Sequence, residues 1–305
     1  ATDSVRLGPG VANPYETHPV TLASKVATLD EASGGRAVFG LGPGDPSTLA
    51  NLGLEDERGL RPVLEGFKTA RKLWAGDRID HEGTFDAADA GLNYEPPQGA
   101  SIPVHVGGEG PHMCRMAAKH ADGLLYNGSH PKDLAWAREQ VDDGLADRPD
   151  HRGDFDLIAY AAVSIDEDED AAREAARPPV AFITAGAAPP VLKRHGIDPD
   201  AASEIGERVS AGEFSAAFDL VTPTMVDAFC MAGTPAAVRE RTGLDRSWRF
   251  FLAARLELSP SPPVTGALRG LVVGSSYVLL PNNQSSAVPQ RFGPGAEDAI
   301  LDESV

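Results

Sequence analysis

Leu7-Gly8-Pro9-Gly10-Val11-Ala12-Asn13-Pro14-Tyr15-Glu16-Thr17-His18-Pro19 is the stretch that decides the fold. It reads as a strand that ends in a glycine-marked kink. Pro19 then opens a helix, because the fixed φ of proline suits a first helical turn. Leu22, Val26 and Leu29 continue that helix, and Gly34-Gly35 closes it. A strand whose carboxyl end is broken by Gly, Asn and Pro makes a floor for a flat ligand.

The same rhythm recurs downstream. Arg36 to Leu41 predicts a short buried strand, followed by the loop Gly42-Pro43-Gly44-Asp45. Between Glu55 and Trp74, Leu60, Val63, Leu64, Phe67, Ala70 and Leu73 fall at helical spacing. Residues 76–100 are polar and turn-rich, a surface excursion. Ile102 to Val106 predicts a strand ending in Gly107-Gly108-Glu109-Gly110-Pro111. Pro111 opens a helix carrying Met113, Met116, Ala117 and His120. Gly123 to Tyr126 predicts another strand, ending in Asn127-Gly128-Ser129-His130, and Pro131 opens the next helix. Ala159 to Ile165 is a fifth strand. Residues 167–242 read as mostly helical, with breaks at Pro178-Pro179, Pro189-Pro190 and Pro223.

Strand, glycine loop and helix in alternation imply a parallel sheet. In a doubly wound sheet one glycine loop dominates, after the first strand. Here such loops follow four strands. That pattern fits a (β/α)8 TIM barrel, whose site is assembled from loops at the carboxyl ends of the strands. Five strands of the eight are recognisable, so an incomplete barrel is expected.

Composition narrows the function. The chain has 305 residues, 42% hydrophobic, enough for a sizeable core. A net charge of −18 argues against nucleic acid and anionic membrane, because phosphate groups must be met by Lys and Arg. Lysine is scarce, and acids cluster in runs such as Asp166 to Asp170. Such a surface suits very high salt, where carboxylates hold water and their repulsion is screened. An ordinary acidic cytosolic enzyme has a comparable balance. Cys114 and Cys230 form no zinc or disulfide pattern and read as buried free thiols. No secretory signal and no apolar run of about twenty residues is present, so a cytoplasmic location is expected. The histidines lack metal-ligand spacing, and no metal is expected.

The composition changes near Thr242. Up to that residue there are 39 acids and 22 bases, and after it 6 and 5, with no lysine. Residues 1–242 are read as the partial barrel. Residues 243–305 are read as a divergent tail, either low-complexity sequence that does not pack or sequence read out of frame.

Gly8 to Tyr15 with His18-Pro19 resembles the coenzyme F420-dependent methylenetetrahydromethanopterin reductases of the bacterial-luciferase-like superfamily. Ala27 to Glu31, Gly34-Gly35-Arg36, Gly40 to Asp45, Gly107 to Pro111, Asp122-Gly123, Asn127 to Pro131, Arg194-His195-Gly196 and Gly233-Thr234-Pro235 continue the likeness in order. It covers roughly residues 5–242. Relative to that family, the first two βα units and their acidic residues have no counterpart here. An N-terminal truncation and an activity that is slow or absent are therefore expected.

The resemblance implies coenzyme F420 as cofactor and, as substrate, a methylene-tetrahydropterin that is either methylenetetrahydromethanopterin or methylenetetrahydrofolate. It implies a bulged strand with a cis peptide at Gly10–Val11 supporting the deazaflavin ring, with Asn13 nearby. It implies that Gly107, Gly108, Gly110 and Pro111 receive the cofactor's phosphate, with Asn127, Gly128 and Ser129 adding donors. Glycines expose backbone N–H groups, and the helix after Pro111 turns its positive end toward an anion. The same loops also fit plain βα turn chemistry. Asp45 is implied as the acid near the ring, and equally fits a helix cap before Pro46. Other F420 enzymes, a flavin monooxygenase of the same fold and an inactive fragment remain alternatives. The resemblance also implies a homo-oligomer in the full-length parent.

Overall fold

The computed structural model describes residues 6–44, 49–50, 52–54, 59–242 and 249–254. Helix α1 (Pro19–Ser33) starts where expected, with the His18 ring accepting from the Val20 N–H. It ends at Gly34, whose φ of +66° is the left-handed turn that glycine adopts without a Cβ clash. Strand β1 (Phe39–Leu41) and helix α2 (Leu60–Trp74) follow. The expected polar excursion contains an antiparallel hairpin, β2 (Ile79–His81) and β3 (Ala87–Ala90). The chain then alternates through β4 (Val104–Gly107), α3 (Pro111–His120), β5 (Gly123–Asn127), α4 (Pro131–Leu145) and β6 (Asp156–Ile165).

Five helices come next: α5 (Glu169–Gly186), α6 (Pro189–His195), α7 (Pro199–Ser210), α8 (Phe214–Asp219) and α9 (Pro223–Phe229). Strand β7 (Cys230–Gly233), helix α10 (Pro235–Thr242) and strand β8 (Arg249–Ala254) complete the described chain. The main sheet is parallel, in the order β1-β4-β5-β6-β7, and β8 also pairs with β6. Of residues 243–305, only β8 is described.

Residues 7–12 run parallel to β1. Leu7 bridges Ala37, and Ala12 bridges Leu41. Five residue steps on one segment therefore match four on the other, which is a β-bulge. The bulge is pressed onto β1 at Gly40. Any side chain there would strike the carbonyl oxygens of Gly10 and Pro9.

Two cores hold this frame. The first lies between the sheet and α1–α4, around Phe39, Leu41, Phe67, Trp74, Val104 and Leu124. Each large apolar side chain there contributes about 1.5–3 kcal/mol. Trp74 Nε1 donates to Ala23 O at 2.9 Å, fastening α2 to α1. Asp30, fully buried, accepts from Ala37 N–H and from the backbone and side chain of Gln98. That carboxylate joins the end of α1 to the entries of β1 and β4. The second core lies among α5–α9, around Val180, Ile205, Met225 and Phe229. The helical insertion between β6 and β7 thus has a core of its own.

Two expectations are corrected. Pro178-Pro179 does not break the chain, and α5 runs through both. An interior proline costs about 3 kcal/mol, but buried Ala176 and Val180 on either side keep α5 packed in the second core. Strand β7 lies inside the region read as helical. Its four residues, Cys-Met-Ala-Gly, are too short to show a period and are buried throughout.

Candidate functional site

The carboxyl ends of β1, β4 and β5 meet at one rim, at Leu41, Gly107 and Asn127. The bulge delivers Val11 to that rim. Its side chain sits between Gly42 and Gly107. A Cβ on Gly42 would lie 2.7 Å from Val11 Cγ1 and 2.9 Å from Gly107 O. A Cβ on Gly107 would lie 2.7 Å from Val11 Cγ2. Two strand ends are therefore glycine because a branched side chain from the bulge fills the space between them. Gly10, beside Val11, faces open space, as does Gly110 across the rim.

The Gly10–Val11 bond is trans, as is every described peptide bond. That corrects the cis bond which the resemblance implied. The trans form is favoured by about 3–4 kcal/mol for a non-prolyl bond. The bulge alone carries Val11 to the strand ends. Asn13 is buried and engaged in its own turn. Its amide donates to Glu16 Oε1 at 2.6 Å and accepts from the Tyr15 and Glu16 N–H groups. Asn13 thus shapes the loop above the bulge. Asp45 lies outside the described residues.

At the end of β4, Gly108 N–H donates to Leu125 O at 3.2 Å, tying the loop to β5. Gly110 caps α3 without a side chain, and the first turn of α3 carries no acid. The first N–H groups of a helix have no intrahelical acceptor, so an anion meets free donors and a positive dipole end there. By contrast, α4, α5 and α7 each carry an acid in the first turn.

Glu109 is half-buried in the same loop and hydrogen-bonds the Asn127 side chain. Burial pushes its carboxyl above the ordinary range, against the pull of the Asn127 bond; Asp133 pushes further and Arg194 opposes. Burial also raises the Cys114 thiol to about 12, with the Glu109 charge adding to the effect. Cys114 is thus an inert core thiol at neutral pH. Ser129 is buried and Gly128 N–H turns back to Tyr126 O, so of the Asn127–Ser129 run Asn127 is the exposed member.

A charged cluster borders this rim that the sequence reading did not find. Asp133, in the first turn of α4, takes Arg194 Nη1 at 2.5 Å and His195 Nε2 at 2.7 Å. The Arg194 guanidinium lies over the Trp136 ring, 4.7 Å from its centroid. His195 also meets His130 edge to face at 4.8 Å. Burial works against the Asp133 charge, but the bonds from His195 and Arg194 prevail and hold its pKa below the ordinary value. The partners are 61 and 62 positions away, and no local pattern announces them.

Residues 1–245 match the luciferase-like monooxygenase family. The chain belongs to that family. It is 42% identical over 245 residues to the 5,10-methylenetetrahydromethanopterin reductase of Archaeoglobus fulgidus, covering 79% of this chain and 73% of that protein. It is 38% identical over 255 residues to the enzyme of the same name from Methanopyrus kandleri, again covering 79% of this chain and 73% of that protein. The solved structure of the coenzyme F420-dependent tetrahydromethanopterin reductase from Methanopyrus kandleri superposes with a TM-score of 0.72 at 33% identity. That superposition spans 82% of this chain and 78% of the other. The fold is therefore the luciferase-like (β/α)8 barrel, of which the described strands form part.

Proposed function

We propose that this luciferase-like chain binds coenzyme F420 at the carboxyl rim and reduces a methylene-tetrahydropterin to its methyl form. The reading rests on sequence identity to named reductases across 79% of the chain, together with a rim shaped for a flat ring. The residues present fit the cofactor. Val11 between Gly42 and Gly107 makes a raised floor, with open space over Gly10. When bound, the deazaflavin supplies a hydride at a ring carbon.

The chain's own residues bind, orient and exclude water. Gly10 and Val11 support one face of the ring, and Asn13 holds the loop above them. Gly107, Gly108, Gly110 and Pro111 receive the phosphate through backbone N–H groups and the positive end of α3. Asn127 adds an exposed amide, and Gly128 and Ser129 shape the turn beneath it. Burial raises the Glu109 pKa, which favours its uncharged form and lessens its repulsion of the anion. Asp45 is assigned to the ring edge. In a −18 chain the general field repels an anionic cofactor, so a local site of this kind is required.

The test follows absorbance at 420 nm as reduced F420 is oxidised by methylene-tetrahydromethanopterin, with methylene-tetrahydrofolate in parallel. Turnover with either pterin supports the proposal and names the carrier. Binding of FMN in place of F420 overturns it. A cytoplasmic location, a high-salt habitat and a homo-oligomeric parent complete the reading. Among the described residues, no helix is long and apolar enough to cross a membrane.

A further inference from the structure

The opposite end of the sheet carries a second polar feature, at the amino ends of β4, β5 and β6. A cavity of about 280 Å³ opens there, lined by Glu65, Lys68, Thr69, Arg71, Lys72, His81 and Arg152. Four of these seven are permanent cations, in a chain of net charge −18. Asp122 and Glu65 beside it are already engaged. Asp122 accepts from Arg71 at 2.6 Å and from Val104 N–H at 2.8 Å. Glu65 holds Arg61, Thr84 and His81, which keeps its pKa near 2 although burial works to raise it. Among the described residues, Lys68, Lys72 and Arg152 form no ion pair.

Burial and then the Arg71 charge lower the Arg152 pKa; Asp122 opposes them, and Arg148 adds to the lowering. Burial lowers His120, followed by Lys68, Lys119, Arg152 and Arg71. The carboxyl end of α2 accounts for part of this, since cations in a last turn answer the helix dipole. It accounts for Arg71 and Lys72. It does not account for Lys68, a turn earlier, or for Arg152. The latter arrives from the 3-10 turn Asp150–Arg152 between α4 and β6.

We propose that this cavity binds a small polyvalent oxyanion of the phosphate class. Arg152 offers a planar fork for two oxygens, and Lys68 and Lys72 supply point charges at the lip. Ordinary water fills the space at low cost, but water does not offset the charges of Lys68, Lys72 and Arg152. The site is separate from the cofactor rim, so it stands or falls apart from the F420 reading.

Equilibrium dialysis with pyrophosphate, at fixed ionic strength set by potassium chloride, tests the site on the full chain. Saturable binding to one site is expected, weakened at least tenfold in the Lys68→Glu/Arg152→Glu variant. F420 affinity is expected to be unchanged in that variant. No binding by the intact chain, or equal binding by chain and variant, overturns the proposal. Backbone NMR shifts on the unmodified chain give a second measurement, independent of whether the variant folds. Pyrophosphate-dependent shifts are expected at residues 65–72 and 148–153. Shifts confined to residues 107–113 overturn the proposal.

Discussion

His195 Nε2 donates to Asp133 Oδ2 across 2.7 Å, with both side chains only 3% exposed. This bond, with the Arg194 bond beside it, fastens the helical insertion to the first turn of α4. That turn follows the Asn127–Ser129 loop directly. The insertion therefore fixes one wall of the proposed cofactor rim, although Arg194 and His195 stand on a helix and not in a strand-end loop.

Asp133→Asn should be costly. The substitution leaves the Arg194 guanidinium without its carboxylate in a largely buried site. Removing one partner of a buried pair costs about 3–5 kcal/mol. Urea unfolding at pH 7 checks this, with a loss near that size expected. The pH dependence has a definite sign. Because the Asp133 pKa is lowered in the fold, its contribution is present above the ordinary value of 3.8 and fades as pH falls through the folded value. The variant's stability should therefore vary less with pH in acid. A loss below about 0.5 kcal/mol, the level of ordinary surface substitutions, would show that the cluster holds nothing.

The βα alternation was legible because the glycine loops after residues 7–12, β4 and β5 each sit directly between a short apolar run and a helix opened by proline. Pro19, Pro111, Pro131, Pro189 and Pro223 all stand at helix starts. The limits were physical. Strand β7 is too short to display alternation, and Pro178-Pro179 is overridden by packing that no local rule anticipates. At the site, glycines were legible as such, but the reason for Gly42 and Gly107 was not. It lies in Val11, about thirty and nearly a hundred positions away, whose direction depends on the bulge. The Asp133 cluster likewise exists only after the insertion folds back.

The Val11 slot predicts a specific rescue. Gly107→Ala places a methyl 2.7 Å from Val11 Cγ2 and 3.0 Å from Cγ1, with no other group among its nearest contacts. Overpacking of this kind costs about 1–3 kcal/mol. Adding Val11→Ala removes both γ carbons and should restore most of that stability. The same second change should not rescue Gly42→Ala, whose methyl still meets Gly107 O at 2.9 Å. Thermal melts of the four variants decide it. Equal rescue at both glycines would mean that Val11 does not occupy the slot.

Glu109→Gln should stabilise the chain at neutral pH. The folded carboxyl has a raised pKa, so between 4.5 and the folded value the native state binds more protons than the unfolded state. Stability therefore falls as pH rises through that window. Glutamine keeps the size and the link to Asn127 but has no proton to lose. The variant and the original should have similar stability at pH 4 and diverge above it, with the variant the more stable. Convergence at high pH, or a variant weaker throughout, would show that the Glu109 charge is well solvated in the fold.

Gly110 allows stability and cofactor binding to be separated. It is the N-cap of α3, with φ −76° and ψ 150°, an extended conformation open to any residue, and a Cβ at this position would meet nothing within 4 Å. Aspartate and serine are both good caps, so either should change stability by only about a few tenths of a kcal/mol relative to glycine. Toward an anion they differ. Serine adds a neutral hydroxyl, whereas aspartate places a negative charge where the cofactor's phosphate is assigned. Gly110→Ser should bind F420 nearly as well as the original chain. Gly110→Asp should fold as well and bind F420 at least tenfold more weakly, with the deficit shrinking as salt is raised, because screening weakens charge repulsion. Fluorescence titration of F420 reads both constants. Equal affinity in the two variants would place the phosphate away from α3, and the assignment of Gly107 to Pro111 would fall while the Val11 floor stood.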